Sequence, residues 1–290
     1  MSDAAHVGSQ QHIVFNKPFK VKPEVEEWKI SDSYEGRRLP NEPEIPKKMK
    51  VWRVQNSGKT YGSVVARKYG FTDSPDAEII AAGYNSGKEY GAVGIGRHGN
   101  FLQWGYSQPP SKMTEAGKNL YLNCICYIKK FDGKLPLVRR KSSHRDNALR
   151  LASLIKQIKN KSFFSATFSP DLQKKYKNDP DGLVRYYMDS YDFIYKDKTF
   201  LVDTELKDLG IDSNRKIESL QKLITLLGKK DKAETAQKLL NRYTRQSFTD
   251  QNQWQKWFDS NKGRIFFSDV GGYKFFVIPK GYMDKQATQP

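Results

Sequence analysis

The hydrophobic period changes partway along this chain, and that change limits the possible folds more than any other feature. Before about residue 110 the apolar runs are short and β-like, broken by glycine and proline: "KVWRVQ" (50–55), "GSVVARKYG" (62–70), "DAEIIAAGYN" (76–85), "YGAVGIG" (90–96) and "NFLQWGYS" (100–107). After residue 143 the period is that of helices, in "SHRDNALRLASLIKQIKN" (143–160), "PDGLVRYYMDSYDFIY" (180–195), "NRKIESLQKLITLLG" (214–228), "KAETAQKLLNRYTRQSF" (232–248) and "QNQWQKWFDSN" (251–261). One helix pattern, "MTEAGKNLYLNCICYIKKF" (113–131), falls on the near side of the change. Thr114 is placed to cap it, and Ala116, Leu120, Cys124, Tyr127 and Phe131 share one face. The chain closes on "RIFFSDVGGYKFFVIP" (264–279), two β-type runs around Gly-Gly, which reads as a hairpin. Between the regimes, "GKLPLVRRKSSHR" (133–145) has the composition of a linker.

The expected fold is therefore α+β with a partial α/β character. A small mixed sheet with a packed helix occupies residues 1–135, behind an extended, proline-punctuated N-terminal segment with one strand near Lys20–Val25. A mainly helical domain ending in a hairpin occupies residues 136–290. Ile217, Leu220, Leu223, Ile224 and Leu227 form one apolar face, and Ala236, Leu239, Leu240 and Tyr243 another. With Gly228 at the break, they predict an antiparallel helix pair.

The chain has 50 Lys and Arg against 32 Asp and Glu, a net charge of +18. Such a field favours acidic partners: a polyanionic carbohydrate or other acidic polymer, nucleic acid, or an anionic membrane surface. The densest positive stretch, 129–161, contains Arg139, Arg140, Lys141 and Arg145, which are the candidate polyanion-binding residues. No recognised nucleic-acid motif accompanies them. No apolar run reaches the roughly 20 residues of a membrane span. The start lacks a basic region followed by an apolar core, so no signal peptide is expected as written. The two cysteines, Cys124 and Cys126, sit two apart on a helix and face different ways, which argues against a mutual disulfide. The four histidines are scattered, and no metal or cofactor is expected.

"GIGRHG" (94–99) spells the G-x-G-x-x-G of dinucleotide loops. Such a loop needs a helix immediately after it, whereas strand-like "FLQW" follows here. The motif reads instead as a β-hairpin with Arg97-His98 at its tip. Gly94 and Gly96 would allow a close approach and Gly99 a positive φ. Arg97, His98, Asn100, Trp104 and Asn85 are the candidate ligand-binding residues. Arg97 would serve as an anion clamp and His98 as a base, with acids supplied by Asp73, Asp76 or Glu78. No catalytic set is legible from spacing. Trp254, Trp257 and Phe258 have ordinary core spacing.

Gly96-Arg97-His98-Gly99-Asn100-Phe101, Trp104-Gly105 and the span from Asn123 to Tyr127 resemble the C-terminal part of ThuA-like domains, a branch of the class I glutamine-amidotransferase-like fold. The resemblance covers about residues 50–133. It implies a link to bacterial carbohydrate utilisation, and export if the native chain starts further upstream. The early βα units of that fold, with their strand-to-helix nucleophilic cysteine, have no counterpart here. Cys124 and Cys126 do not match that position, so the resemblance implies no catalytic residue. It favours a non-catalytic binding or scaffold module. The alternatives are an enzyme acting on a sugar derivative through Arg97 and His98, and a polyanion binder using the 129–161 stretch.

Overall fold

A computed structural model of the chain describes residues 3–6, 11–30, 38–39, 42, 44–58, 65–83, 85, 88–155, 167–177 and 179–283. The chain is a mixed α+β protein of two compact units, Met1–Leu137 and Val138–Pro290.

The first unit has two three-stranded sheets. In one, β1 (Ala4–His6) and β2 (Val25–Lys29) flank β3 (Lys48–Arg53). In the other, β4 (Ala77–Ala82), β5 (Val93–His98) and β6 (Phe101–Trp104) follow in order. Every named strand pair is antiparallel, so the sheet expected to be mixed is two antiparallel sheets, of which β4-β5-β6 runs in chain order and β1-β3-β2 does not. The strand expected near Lys20–Val25 begins at Val25, because only from there does the chain lie in register with β3 (Val25 opposite Trp52, Lys29 opposite Lys48). Of the expected strand 62–70, Ala66 makes one bridge to Val93, while residues 59–64 lie outside the described residues.

Helix α1 (Glu115–Ile128) starts where Thr114 predicts: its Oγ1 accepts from Gly117 N–H at 3.0 Å and donates to the Arg53 carbonyl at 2.9 Å. Gly117 is required there, since a Cβ would collide with the Val54 carbonyl. Leu120 and Cys124 of α1 enter a core with Phe15, Trp52, Ile80, Ile95 and Tyr106. Asn123, wholly buried, clamps the N-terminal segment. Its Nδ2 donates to the carbonyls of Val14 and Phe19, and its Oδ1 accepts from Phe19 N–H.

The second unit carries helices α2 (Asp146–Leu154), α3 (Pro170–Lys175), α4 (Pro180–Asp189), α5 (Thr204–Asp208), α6 (Ile217–Leu226), α7 (Ala233–Tyr243) and α8 (Gln251–Asn261). The expected helix 143–160 begins at Asp146, and residues 156–166 lie outside the described residues. The expected helix 180–195 stops at Asp189, after which the chain forms a short hairpin, β7 (Ile194–Lys196) and β8 (Phe200–Val202). "FIY" and "FLV" are β-type runs around a polar "KDK", a signal hidden by the helical period just before it. Helices α6, α7 and α8 pack Leu220, Leu223, Ile224, Leu239, Leu240 and Trp254 into the core of this unit. The terminal hairpin is present as β9 (Ile265–Ser268) and β10 (Lys274–Val277). No helix of the described residues is long and apolar enough to cross a membrane.

Candidate functional site

In the first unit, the hairpin of "GIGRHG" is closed by a turn of Gly99 and Asn100, with His98 opposite Phe101. Arg97 and His98 therefore lie on β5 and not at the tip. The turn is shorter than the expected "RHG" because Gly99, at φ 56°, reverses the chain within two residues. A Cβ on Gly99 would come within 2.5 Å of the Lys134 carbonyl. Gly96 gives the close approach expected of it, since a Cβ there would meet Phe71 and Val93 at 2.7 Å.

Arg97 is 4% exposed. Its Nε donates to Glu78 Oε1 (2.6 Å), its Nη1 donates to the Gly99 carbonyl (3.0 Å), and its guanidinium lies 3.7 Å above the Phe131 ring. Glu78 also accepts from Tyr127 OH (2.5 Å) and contacts His12 Nε2 (3.3 Å). Burial alone would raise the Glu78 carboxyl, but the hydrogen bonds from His12, Tyr127 and Arg97 and the guanidinium charge bring it down to about 2. Burial pushes the neighbouring Cys124 thiol up to about 12, so it is protonated at neutral pH.

His98 Nε2 sits 3.4 Å from the fully buried Asp76, which also accepts from Ser74 Oγ and from Leu137 N–H. These contacts outweigh burial and hold Asp76 at about 2. Trp104 packs edge-on against Tyr121 and Tyr106 at the far end of the hairpin from the turn. Asn100 gives its backbone N–H to the Lys134 carbonyl. Asn85 lies in the β4–β5 loop, which joins β5 at the end opposite His98. The structure thus keeps Asn85 and Trp104 apart from Arg97 and His98, and the Arg97 guanidinium is already paired.

The second unit treats its arginine-rich stretch differently. Arg145 is wholly buried. Its backbone N–H, Nε and Nη2 all donate to the Asp269 carboxylate (3.0, 2.8 and 2.7 Å). Its Nη1 donates to the Tyr191 carbonyl and its Nη2 also to Asn214 Oδ1. Asp269 itself would be raised by burial, but the adjacent guanidinium holds it below the usual carboxylate range. His144 lies 3.4 Å from both Asp146 and Asp269, and Tyr191 OH donates to Asp146. Arg145 is thus the anchor of a buried ionic network and presents no charge outward.

What surrounds that anchor is cationic. Arg140, Lys141, Ser142, Ser143 and Lys196 line an open recess of about 320 Å3. The exposed Arg139 precedes it in the chain. The network behind sets these residues in place. The N–H groups of Lys141 and Ser142 donate to the Val270 carbonyl (2.7 and 3.0 Å), and Tyr273 OH donates to the Ser143 carbonyl (2.8 Å). Asn214, bonded to Arg145, donates to the Ile194 carbonyl of β7, the strand that ends in Lys196. Nearby, burial together with the charges of Arg245 and Lys141 lowers the Lys274 ammonium. Among the described residues that line the recess none is acidic, which suits an anion. Lys196, Ser142 and Ser143 were not legible as site residues, because Lys196 joins the recess from 53 or more positions away.

Among the described residues no group of three His, Cys, Asp or Glu side chains gathers as a metal ion would need. No protein-family model, curated protein or solved structure matches the chain.

Proposed function

We propose that this protein is a non-catalytic binding module for an anionic polymer, and that the recess of the second unit is where the polymer's charge is met. The observation that carries this reading is the lining itself: three cations and two hydroxyls, with no acidic residue among them. None of the five is aromatic, so nothing in the lining offers a base-stacking platform. That favours an acidic carbohydrate over single-stranded nucleic acid. The resemblance of residues 50–133 to ThuA-like domains supports the same direction.

Retention on immobilised heparin, a sulfated polysaccharide, tests the reading. Binding should weaken steeply with salt, and Lys141→Ala with Lys196→Ala should lower the salt slope by about one per contact removed. Absence of binding at low salt, or a double variant that binds like the wild type, would sink it.

A second reading rests on the His98 imidazole, whose Nε2 lies 3.4 Å from the buried Asp76 carboxylate, the neighbour a proton-transferring histidine needs. It makes the first unit an enzyme acting on a sugar derivative. Turnover in a glycan screen, lost in His98→Ala, would establish it over the first.

A further inference from the structure

The recess is held from behind at successive positions by one short turn. Residues Asp269–Tyr273 supply the carboxylate that fixes Arg145, the carbonyl that takes the N–H groups of Lys141 and Ser142, and the hydroxyl that binds the Ser143 carbonyl. Tyr273 does this from φ 56°, a left-handed backbone that a residue with a side chain rarely adopts. Such a conformation persists only where the surroundings over-determine it. Here the ring is 2% exposed and its hydroxyl has a fixed acceptor.

This anchoring decides what the recess offers a ligand. The Ser142 N–H and the Ser143 carbonyl are bonded inward, which leaves the Ser142 and Ser143 hydroxyls as neutral groups for a ligand. They line the recess together with Arg140, Lys141 and Lys196. Neutral donors set among cations suit a group with several oxygens on one small centre. A phosphate or sulfate ester has three terminal oxygens and takes three or more donors, whereas a carboxylate has two.

We propose that the recess is a preorganised site for the phosphate or sulfate ester group of its ligand, with Tyr273 as a positioning residue. This rests on the anion-binding reading of the same recess and names the group recognised. The test is calorimetric titration of the full chain with inorganic phosphate, sulfate and acetate at matched ionic strength, beside heparin retention.

Phosphate or sulfate should bind about tenfold or more tightly than acetate, the tighter of the two naming the ester. The Ser142→Ala, Ser143→Ala double variant, which removes no charge, should lose that preference. Tyr273→Phe, also neutral in charge, should weaken phosphate or sulfate binding by roughly 2- to 10-fold, the worth of one hydrogen bond, while the heparin salt slope stays unchanged. Equal binding of acetate overturns the ester specificity. Wild-type affinity in Tyr273→Phe overturns the positioning role. Both failures are distinguishable from failure of the underlying reading, which shows as heparin retention that survives loss of Lys141 and Lys196.

Discussion

Arg97 and Arg145 make an instructive pair, one in each unit. Both are buried, both meet a carboxylate at under 3 Å, and both touch aromatic rings. Arg97 finds Glu78 directly opposite on the next strand, 19 positions away in the chain. Glu78, with Asp76 in the turn just before β4, also engages Tyr127 and His12, so this corner consumes its charge internally. Arg145 finds its carboxylate 124 positions away, and that carboxylate also meets His144. Arg140, Lys141 and Lys196 are left facing the recess. A run of basic residues in sequence therefore says how much charge a segment carries, not how much it presents. Presentation depends on where distant acids fold in.

Removing one acid from each unit breaks the comparison most sharply. Asp269→Ala leaves a buried guanidinium uncompensated and should cost about 3–5 kcal/mol in denaturant unfolding. A loss under about 1 kcal/mol would mean Arg145 is not held as described. Glu78→Gln should cost less, on the order of 2–3 kcal/mol at neutral pH, because Arg97 keeps the Gly99 carbonyl and the Phe131 ring.

Glu78→Gln should also alter the acid limb. Glu78 and Asp76 have folded-state values lowered to about 2, so the stability they contribute is present above the ordinary carboxylate range near pH 4 and is lost as pH falls from there toward 2. Melting temperatures measured across that window should fall less steeply in Glu78→Gln than in the wild type. A smaller cost, about 1–3 kcal/mol, is expected for Gly99→Ala, which forces a side chain into left-handed backbone against the Lys134 carbonyl. Smallest for stability are Lys141→Ala and Lys196→Ala, expected within about 0.5 kcal/mol of wild type while heparin retention drops. That separation of stability from binding is what an outward-facing charge should show.

The elements legible in the sequence were those whose signals are local. Thr114 marked the start of α1, the faces of Leu220–Leu227 and Ala236–Tyr243 marked α6 and α7, and Gly-Gly marked the terminal hairpin. Glycine chemistry at positions 96 and 99 was legible for the same reason, since a tight turn and a close approach each restrict a single residue. The placing of Arg97 and His98 at the tip failed by a shift of register, because both a two- and a three-residue turn fit "RHGN". The β7–β8 hairpin was masked by helical periodicity running up to it. Most of the recess was not legible. Arg140 and Lys141 stand out as charge, but nothing near Arg145 announces that Asp269 will bury it, nor that β7 will bring Lys196 alongside.

The span between Arg145 and Asp269 also sets a schedule. At the usual 5–20 residues per second of synthesis, Arg145 is made roughly 6–25 s before its counter-charge. Until then its guanidinium is held in water, and the backbone of residues 141–145 lacks the carbonyl and hydroxyl that will fix it. Helices α2 through α8 are all made before Asp269 is added. The recess of Arg140, Lys141 and Lys196 thus takes its shape only after those helices have been made. A nascent chain still short of its terminal hairpin carries the full cationic segment with no shaped recess to direct it.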